Sequence, residues 1–173
     1  LNALCTVFLI LFCAYAYIHQ PPIGDNQRSR LDLLHALWNE GTIYIDTYAA
    51  NTRDRALVNG HYYSEKAPAI TLLALPAFSA AAWVVELQGD SIDTPEGWLK
   101  TDWVATIGSV AWIAALGGVA MFAFLLQKGI RRRTALVTTL ALFLGAAAFP
   151  YSTVLFSHGA VLGMIAMARF CVE

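Results

Sequence analysis

Charge is scarce in this chain, and its scarcity indicates the class of protein. Of the 173 residues, 13% are charged and 58% are hydrophobic, and the mean hydropathy is +0.55. This composition is typical of a protein that lies largely in lipid. A formal net charge of −1 gives no long-range attraction for nucleic acid, and the one dense basic patch, residues 131–133, lies between apolar segments, where membrane topology explains it. The sequence therefore predicts an integral membrane protein without a nucleic-acid partner.

Cysteine is also rare. Of the three cysteines, Cys5 and Cys13 lie in the first apolar run and Cys171 lies in the last. This distribution suggests neither a disulfide framework nor a zinc knuckle. We expect all three to be packing residues.

Two apolar stretches predict membrane helices directly. Residues 1–18 approach the roughly 20 residues that cross the hydrocarbon core. A signal peptide is the alternative, but no small-residue cleavage site follows Ile18. Residues 103–128 carry no charge before Lys128, and the basic patch follows, as expected where a helix emerges into the cytoplasm.

A third apolar stretch, residues 67–87, leaves the topology open. It is short and carries Pro68 and Pro76. If it crosses the membrane, the preceding loop and the basic patch share one side, which the positive-inside tendency disfavours unless that loop is cytoplasmic. If it lies flat or re-enters, residues 19–102 form one extracytoplasmic loop. We predict this second arrangement.

The last apolar stretch is interrupted by Pro150, which predicts two short membrane helices over residues 134–150 and 156–170. The expected fold is thus all-α: a polytopic membrane helical bundle whose long first loop contains amphipathic helices and a small hairpin. The chain begins at Leu1 without methionine and stops at Glu173 within an apolar stretch. We therefore expect an N-terminal fragment of a longer protein, inactive alone.

Within the loop, Leu31, Leu34 and Leu37 recur at helical spacing after Asp25, which predicts an amphipathic helix lying on the membrane. Asp25 would stand at its N-terminus. It either caps the helix or, held ionised beside Arg28 and its neighbour Arg30, serves to bind a metal or accept a proton.

The pair Asn59-Gly60 predicts a tight hairpin turn between residues 55–58 and 61–63. The hairpin leads to Glu65 and Lys66, just before an apolar helix. Lys66 either binds a phosphate there or, with Glu65, anchors the helix by reaching toward water.

These loop motifs resemble those of a known membrane enzyme group. The series is Asp25-x-x-Arg28, then Gly41-Thr42, then residues 59–68, Asn-Gly-His-Tyr-Tyr-Ser-Glu-Lys-Ala-Pro. It is similar to the first extracytoplasmic loop of GT-C glycosyltransferases, in the branch of protein mannosyltransferases and the lipid A aminoarabinose transferase. The resemblance implies transfer of a sugar from a polyprenyl-phosphate donor in the cell membrane to an extracytoplasmic acceptor, with inversion.

The resemblance also implies roles for individual residues. Asp25 matches the acidic residue near the acceptor or a divalent cation, and is expected to be catalytic. Lys66 and Arg28 are expected to bind the donor phosphate, with Glu65 and Tyr63 in support.

His158 stands after Pro150, where an aspartate is usual in that family, so a divalent cation held by Asp25 and His158 remains an open alternative. The alternative for His158 is a purely structural role, in which the side chain packs and is hydrogen-bonded. The competing functions are a non-catalytic membrane protein and a transporter of lipids or small molecules, which would show buried charge within its helices.

Overall fold

The computed structural model describes residues 2–22 and 24–172, which are mostly helical, as predicted. Leu1 and Glu173, the expected fragment ends, and Ile23 of the predicted loop lie outside the described residues. The chain divides into two compact units. We call residues 21–106 the loop unit, and residues 1–20 with 107–173 the bundle unit. The elements are α1 (Ala3–Tyr17), α2 (Asp25–Asn39), β1 (Arg55–Val58), β2 (His61–Ser64), α3 (Ala69–Leu87), α4 (Pro95–Thr106), α5 (Trp112–Gln127), α6 (Arg132–Gly145), α7 (Ala148–Ser152) and α8 (Ser157–Cys171).

Within residues 2–22 and 24–172, two helices are long and apolar enough to cross a membrane. One is α3, with 19 residues. The other runs for 33 residues over Pro95–Gln127, through α4, a π-helical turn at Ile107–Ala111, and α5. It begins well before the span predicted at residues 103–128. The apolar helix α1 has 15 residues, fewer than the roughly 20 that cross the hydrocarbon core.

The helix α2 is buried on more sides than its amphipathic pattern predicts. Leu31 and Leu34 are fully buried, as expected, but Asp32 and His35 are also 0% exposed. The reason is that β2, α3 and the 3₁₀ turn Ala49–Asn51 all pack against this helix. Its polar side therefore lies inside the loop unit.

The predicted hairpin is confirmed. Strands β1 and β2 pair antiparallel from Arg55 opposite Ser64 to Val58 opposite His61. Asn59 and Gly60 adopt positive φ of 52° and 87°, which a two-residue turn of this hand requires. The second strand includes Ser64 and so ends one position beyond the predicted arm.

The helix α3 continues through Pro76 without a break. Large apolar side chains project from it into the surroundings rather than into the protein, which suits a lipid environment. They are Leu72, Leu73, Trp83, Val84 and Leu87. With 19 residues the helix is long enough to cross a membrane, and its position along the membrane surface stays a prediction.

The bundle unit has its core where α1, α5, α6 and α8 meet. That core includes Leu11, Tyr15, Phe122 and Phe143, all nearly inaccessible to solvent, and the Tyr15 hydroxyl donates to the Phe143 carbonyl at 3.0 Å. Helices α5 and α8 approach through glycines: a Cβ placed on Gly117 would lie 2.3 Å from the Cα of Gly163. Such small-residue contacts are typical of helices that pack in lipid.

The predicted interruption near Pro150 is present, with different boundaries. Helix α6 ends at Gly145, the short α7 contains Pro150, and α8 starts at Ser157. Pro150 lies in the first turn of α7, where its missing N–H has no intrahelical partner to lose.

The cysteines differ from expectation. Cys5, Cys13 and Cys171 are free thiols with exposed side chains, so they are not core packing residues. All three lie on apolar helices, which place them on outward faces of the bundle unit.

Candidate functional site

Asp25 is the first residue of α2, but it does not cap that helix. Gly24 occupies the N-cap, and its N–H donates to the Gln27 Oε1 at 3.4 Å. The Asp25 carboxylate instead accepts from Arg53, at 3.2 Å from the backbone N–H and 2.9 Å from Nε. The capping alternative is therefore wrong, and the carboxylate belongs to a tertiary contact.

Arg53 holds Asp25 in its ionised form. The pKa of the Asp25 carboxyl is lowered, first by the Arg53 N–H, then by the Arg53 side chain, with a smaller electrostatic contribution from Arg28. An ionised Asp25 was expected, but the principal partner is not the neighbour named from sequence. Arg30 turns inward and donates to the Asn26 carbonyl at 3.0 Å.

Arg28 borders Asp25 and remains exposed. Its Nε donates to the Pro22 carbonyl at 3.0 Å and its Nη1 to the Asn51 carbonyl at 3.4 Å. These two bonds fix the guanidinium through its Nε and Nη1 atoms. Its Nη2 makes no hydrogen bond to residues 2–22 or 24–172, and can donate to a ligand.

Lys66 is ion-paired with Asp54, at 2.9 Å between Nζ and Oδ2. Both side chains are largely buried, 21% and 29% exposed. Ser29 reinforces this corner, because its hydroxyl donates to the Asp54 carbonyl at 2.6 Å and lies 2.8 Å from the Ser64 hydroxyl. The segment Arg53-Asp54 thus binds Asp25 through one residue and Lys66 through the next.

Glu65 and Tyr63 flank this corner without completing it. The Glu65 side chain is exposed, and in the described part of the chain its carboxylate contacts no cation. The Tyr63 ring packs edge-on against Tyr44, at 5.1 Å between centroids. Tyr63 therefore fixes the hairpin against the segment that precedes it, which fits a supporting role.

His158 lies in the bundle unit, whereas Asp25 and Lys66 lie in the loop unit. Its exposed imidazole stacks on Tyr151 at 4.7 Å between centroids and is 6.0 Å from the Phe156 ring. Ring packing accounts for its position. The expected convergence with Asp25 stays a prediction.

The described residues do not fit a divalent-cation site. Across 2–22 and 24–172, no three histidine, cysteine, aspartate or glutamate side chains gather around a common point. Both carboxylate oxygens of Asp25 already accept from Arg53.

Sequence reasoning missed two groups on the inner side of α2. The Asp32 carboxylate is fully buried; it accepts from the Asn51 amide at 3.0 Å, and its Oδ2 has no hydrogen-bond partner among the described residues. Burial raises the pKa of Asp32 to about 7. His35, also fully buried, pairs through Nδ1 with Asp93 at 3.2 Å.

A cavity of about 600 Å³ opens next to Arg28. This volume lies within the range of small-molecule sites. Its walls come from the start of α2, the segment before β1, and the start of α4. The lining residues are Pro22, Arg28, Thr47, Tyr48, Asn51, Asp93, Pro95 and Trp98.

Comparison with family models, curated proteins and solved structures finds no match for this chain. The geometry of the loop unit therefore bears on function directly. That geometry offers an ionised carboxylate, a guanidinium with a free donor and a paired lysine. All three lie in the loop unit, and of the three Arg28 also lines the cavity.

Proposed function

We propose that this chain belongs to an integral membrane glycosyltransferase that moves a sugar from a polyprenyl-phosphate donor to an extracytoplasmic acceptor. The observation that carries the proposal is the attachment of Asp25 and Lys66 to the consecutive residues Arg53 and Asp54. A proton acceptor and a phosphate-binding cation that serve one reaction must be held at a fixed separation. The segment 53–54 supplies that support.

Asp25 acts on the acceptor. A hydroxyl oxygen attacks the anomeric carbon as the bond from that carbon to the phosphate oxygen breaks, with inversion. The hydroxyl proton passes to the Asp25 carboxylate, and the electron pair leaves on the phosphate. Because Arg53 lowers the pKa of Asp25, the carboxylate accepts the proton late, once bond formation has acidified the hydroxyl. Before that, it orients the acceptor.

Lys66 acts on the donor. To bind the carrier phosphate, its ammonium exchanges the Asp54 carboxylate for a phosphate oxygen, so the pair seen here corresponds to the donor-free state. Arg28 adds its free Nη2, and both charges stabilise the anion that develops on the leaving phosphate. Tyr63 keeps the hairpin in place through its ring contact with Tyr44, and Glu65 supports it through its backbone N–H, which donates to the Asp54 carbonyl at 3.3 Å.

The membrane arrangement follows from the same proposal. The chain is multi-pass, and the site lies at the extracytoplasmic face, so that the polyprenyl tail stays in lipid while the phosphate reaches Lys66. The outward apolar side chains of α3, among them Leu72 and Trp83, form a surface along which such a tail can lie.

The test uses the full-length protein in nanodiscs. It measures transfer of radiolabelled sugar from a panel of polyprenyl-phosphate sugars to an unlabelled membrane extract that supplies the acceptor. Asp25→Asn should reduce transfer about a hundredfold or more, which is the usual contribution of a placed base. Lys66→Ala should raise the KM for donor strongly. Asp90→Asn, an exposed carboxylate of the same unit, should transfer like wild type.

Two results would count against the proposal. Wild-type transfer that survives both Asp25→Asn and Lys66→Ala removes the site assignment. Absence of transfer by the wild-type protein with every donor in the panel removes the function itself.

One observation favours a second candidate, a transporter. Asp102 is fully buried in the 33-residue helix that is long enough to cross a membrane, and acidic groups within membrane-spanning helices commonly mark substrate or proton pathways. Uptake of a labelled substrate into proteoliposomes that is abolished by Asp102→Asn, with no sugar transfer, would favour transport.

A further inference from the structure

The cavity beside Arg28 has a carboxylate built into its wall. Asp93 is half exposed, yet its Oδ1 lies within hydrogen-bond distance of His35 Nδ1 at 3.2 Å and accepts from the Tyr48 hydroxyl at 3.4 Å. The Asn39 amide donates to both carboxylate oxygens, at 3.3 and 3.2 Å. Three side chains therefore hold this carboxylate in one position, as a pre-organised binding group requires.

The aromatic wall of the cavity is fixed in the same way. The Trp98 indole stacks on His35, with ring centroids 3.9 Å apart and planes 11° from parallel. His35 is wedged in turn against the edge of Phe78, at 5.1 Å. Burial lowers the pKa of His35 to about 4, so the imidazole is neutral and donates its Nδ1–H to Asp93. The His35 ring thus positions both Trp98 and Asp93.

The remaining polar groups of the cavity wall suit a ligand that presents both hydrogen-bond donors and acceptors. Arg28 and the Asn51 amide donate, Asp93 accepts, the Thr47 hydroxyl does both, and the Tyr48 hydroxyl, whose O–H is donated to Asp93, can only accept. The one positive and one negative side chain balance, which disfavours a net anion or cation as ligand. An aromatic face beside such a set suits a ring that carries hydroxyls on its edge and C–H groups on its faces.

We propose that this cavity binds a neutral sugar ring of the acceptor, with the ring against Trp98 and vicinal hydroxyls on Asp93 and Asn51. The assignment to the acceptor rests on the proposed function, because Arg28 borders both the cavity and Asp25. The donor differs in carrying a phosphate, which the Asp93 carboxylate would repel. Lys66, which would bind that phosphate, does not line the cavity.

Binding is tested separately from transfer. The full-length protein in detergent is titrated with methyl glycosides of common hexoses, and the Kd is measured by saturation-transfer NMR. Asp93→Asn retains an oxygen that accepts from His35, so it should fold, but it loses the charge. Its glycoside Kd should rise about tenfold or more, as expected for hydrogen bonds to a charged group. Trp98→Phe should weaken binding less, and Asp90→Asn should not change it.

Each outcome separates this inference from the proposed function. Glycoside binding that Asp93→Asn weakens, in a protein that transfers no sugar, supports the cavity and refutes the transferase. Sugar transfer by a wild-type protein that binds no glycoside, or whose glycoside Kd is the same in Asp93→Asn as in Asp90→Asn, overturns the inference.

Discussion

Replacing Asp32 with asparagine should stabilise the protein at alkaline pH. Burial raises the pKa of this carboxyl to about 7, whereas an unfolded chain leaves it near 3.9, and each unit corresponds to about 1.4 kcal/mol. Between these two values the folded state holds a proton that the unfolded state has released. Stability therefore falls as pH rises from about 4 to about 7, by about 4 kcal/mol in all, and is then constant.

The asparagine variant lacks this proton linkage. Its side-chain oxygen can accept from Asn51 as Asp32 does at 3.0 Å. Its amide nitrogen takes the place of the Oδ2, which lacks a partner in the described chain, at a constant cost of about 1–3 kcal/mol. That cost is the same at every pH. Between pH 5 and pH 8, the free energy of unfolding of the wild type should fall by about 3 kcal/mol more than that of the variant.

Thermal unfolding of the full-length protein in detergent, followed by tryptophan fluorescence at pH 5 and pH 8, measures this difference. Since about 1 kcal/mol shifts a melting temperature by 2–4 °C in a protein of this size, the melting temperatures should diverge by on the order of 10 °C. Asp90→Asn, at an exposed carboxylate, is the matched control and should follow wild type. Parallel pH profiles for wild type and Asp32→Asn would refute the reasoning.

Three further changes have defined outcomes. Arg53→Ala removes the guanidinium that helps to lower the pKa of Asp25. The acidic limb of the pH profile of kcat/KM for sugar transfer should therefore move to higher pH. A limb that stays in place would show that the ionisation of Asp25 does not determine it. Gly117→Leu should destabilise by about 1–3 kcal/mol through overpacking, whereas Gly145→Leu, which meets open space, should not; equal melting temperatures would contradict the contact. Gly60→Val, at φ 87°, should cost about 1–2 kcal/mol and speed hydrogen exchange in both hairpin strands; unchanged exchange would argue against the turn.

Local rules made part of this structure predictable. The pair Asn59-Gly60 indicated the hairpin because two adjacent residues supply its whole turn. Asp25 could be placed at a helix start because the apolar spacing begins just after it. Pro150 indicated an interruption because the ring removes a donor wherever it stands.

The partners of the site were not predictable in the same way. Arg53 lies 28 positions from Asp25, and no periodicity connects the two. Asp32 and His35 fall on the polar side of α2, which usually faces water. They are buried because three other elements close over that side, and such closure depends on long-range packing.

Because the thiols of Cys5, Cys13 and Cys171 are exposed, their labelling by a thiol reagent can show which parts of the bundle unit lie in lipid. A thiol surrounded by acyl chains is out of reach of a water-soluble maleimide, while a thiol that faces water is labelled. The loop unit contains no cysteine. The unmodified protein can therefore report, by mass spectrometry after labelling, which ends of α1 and α8 face lipid and which face solvent, with the region around Asp25 left chemically untouched.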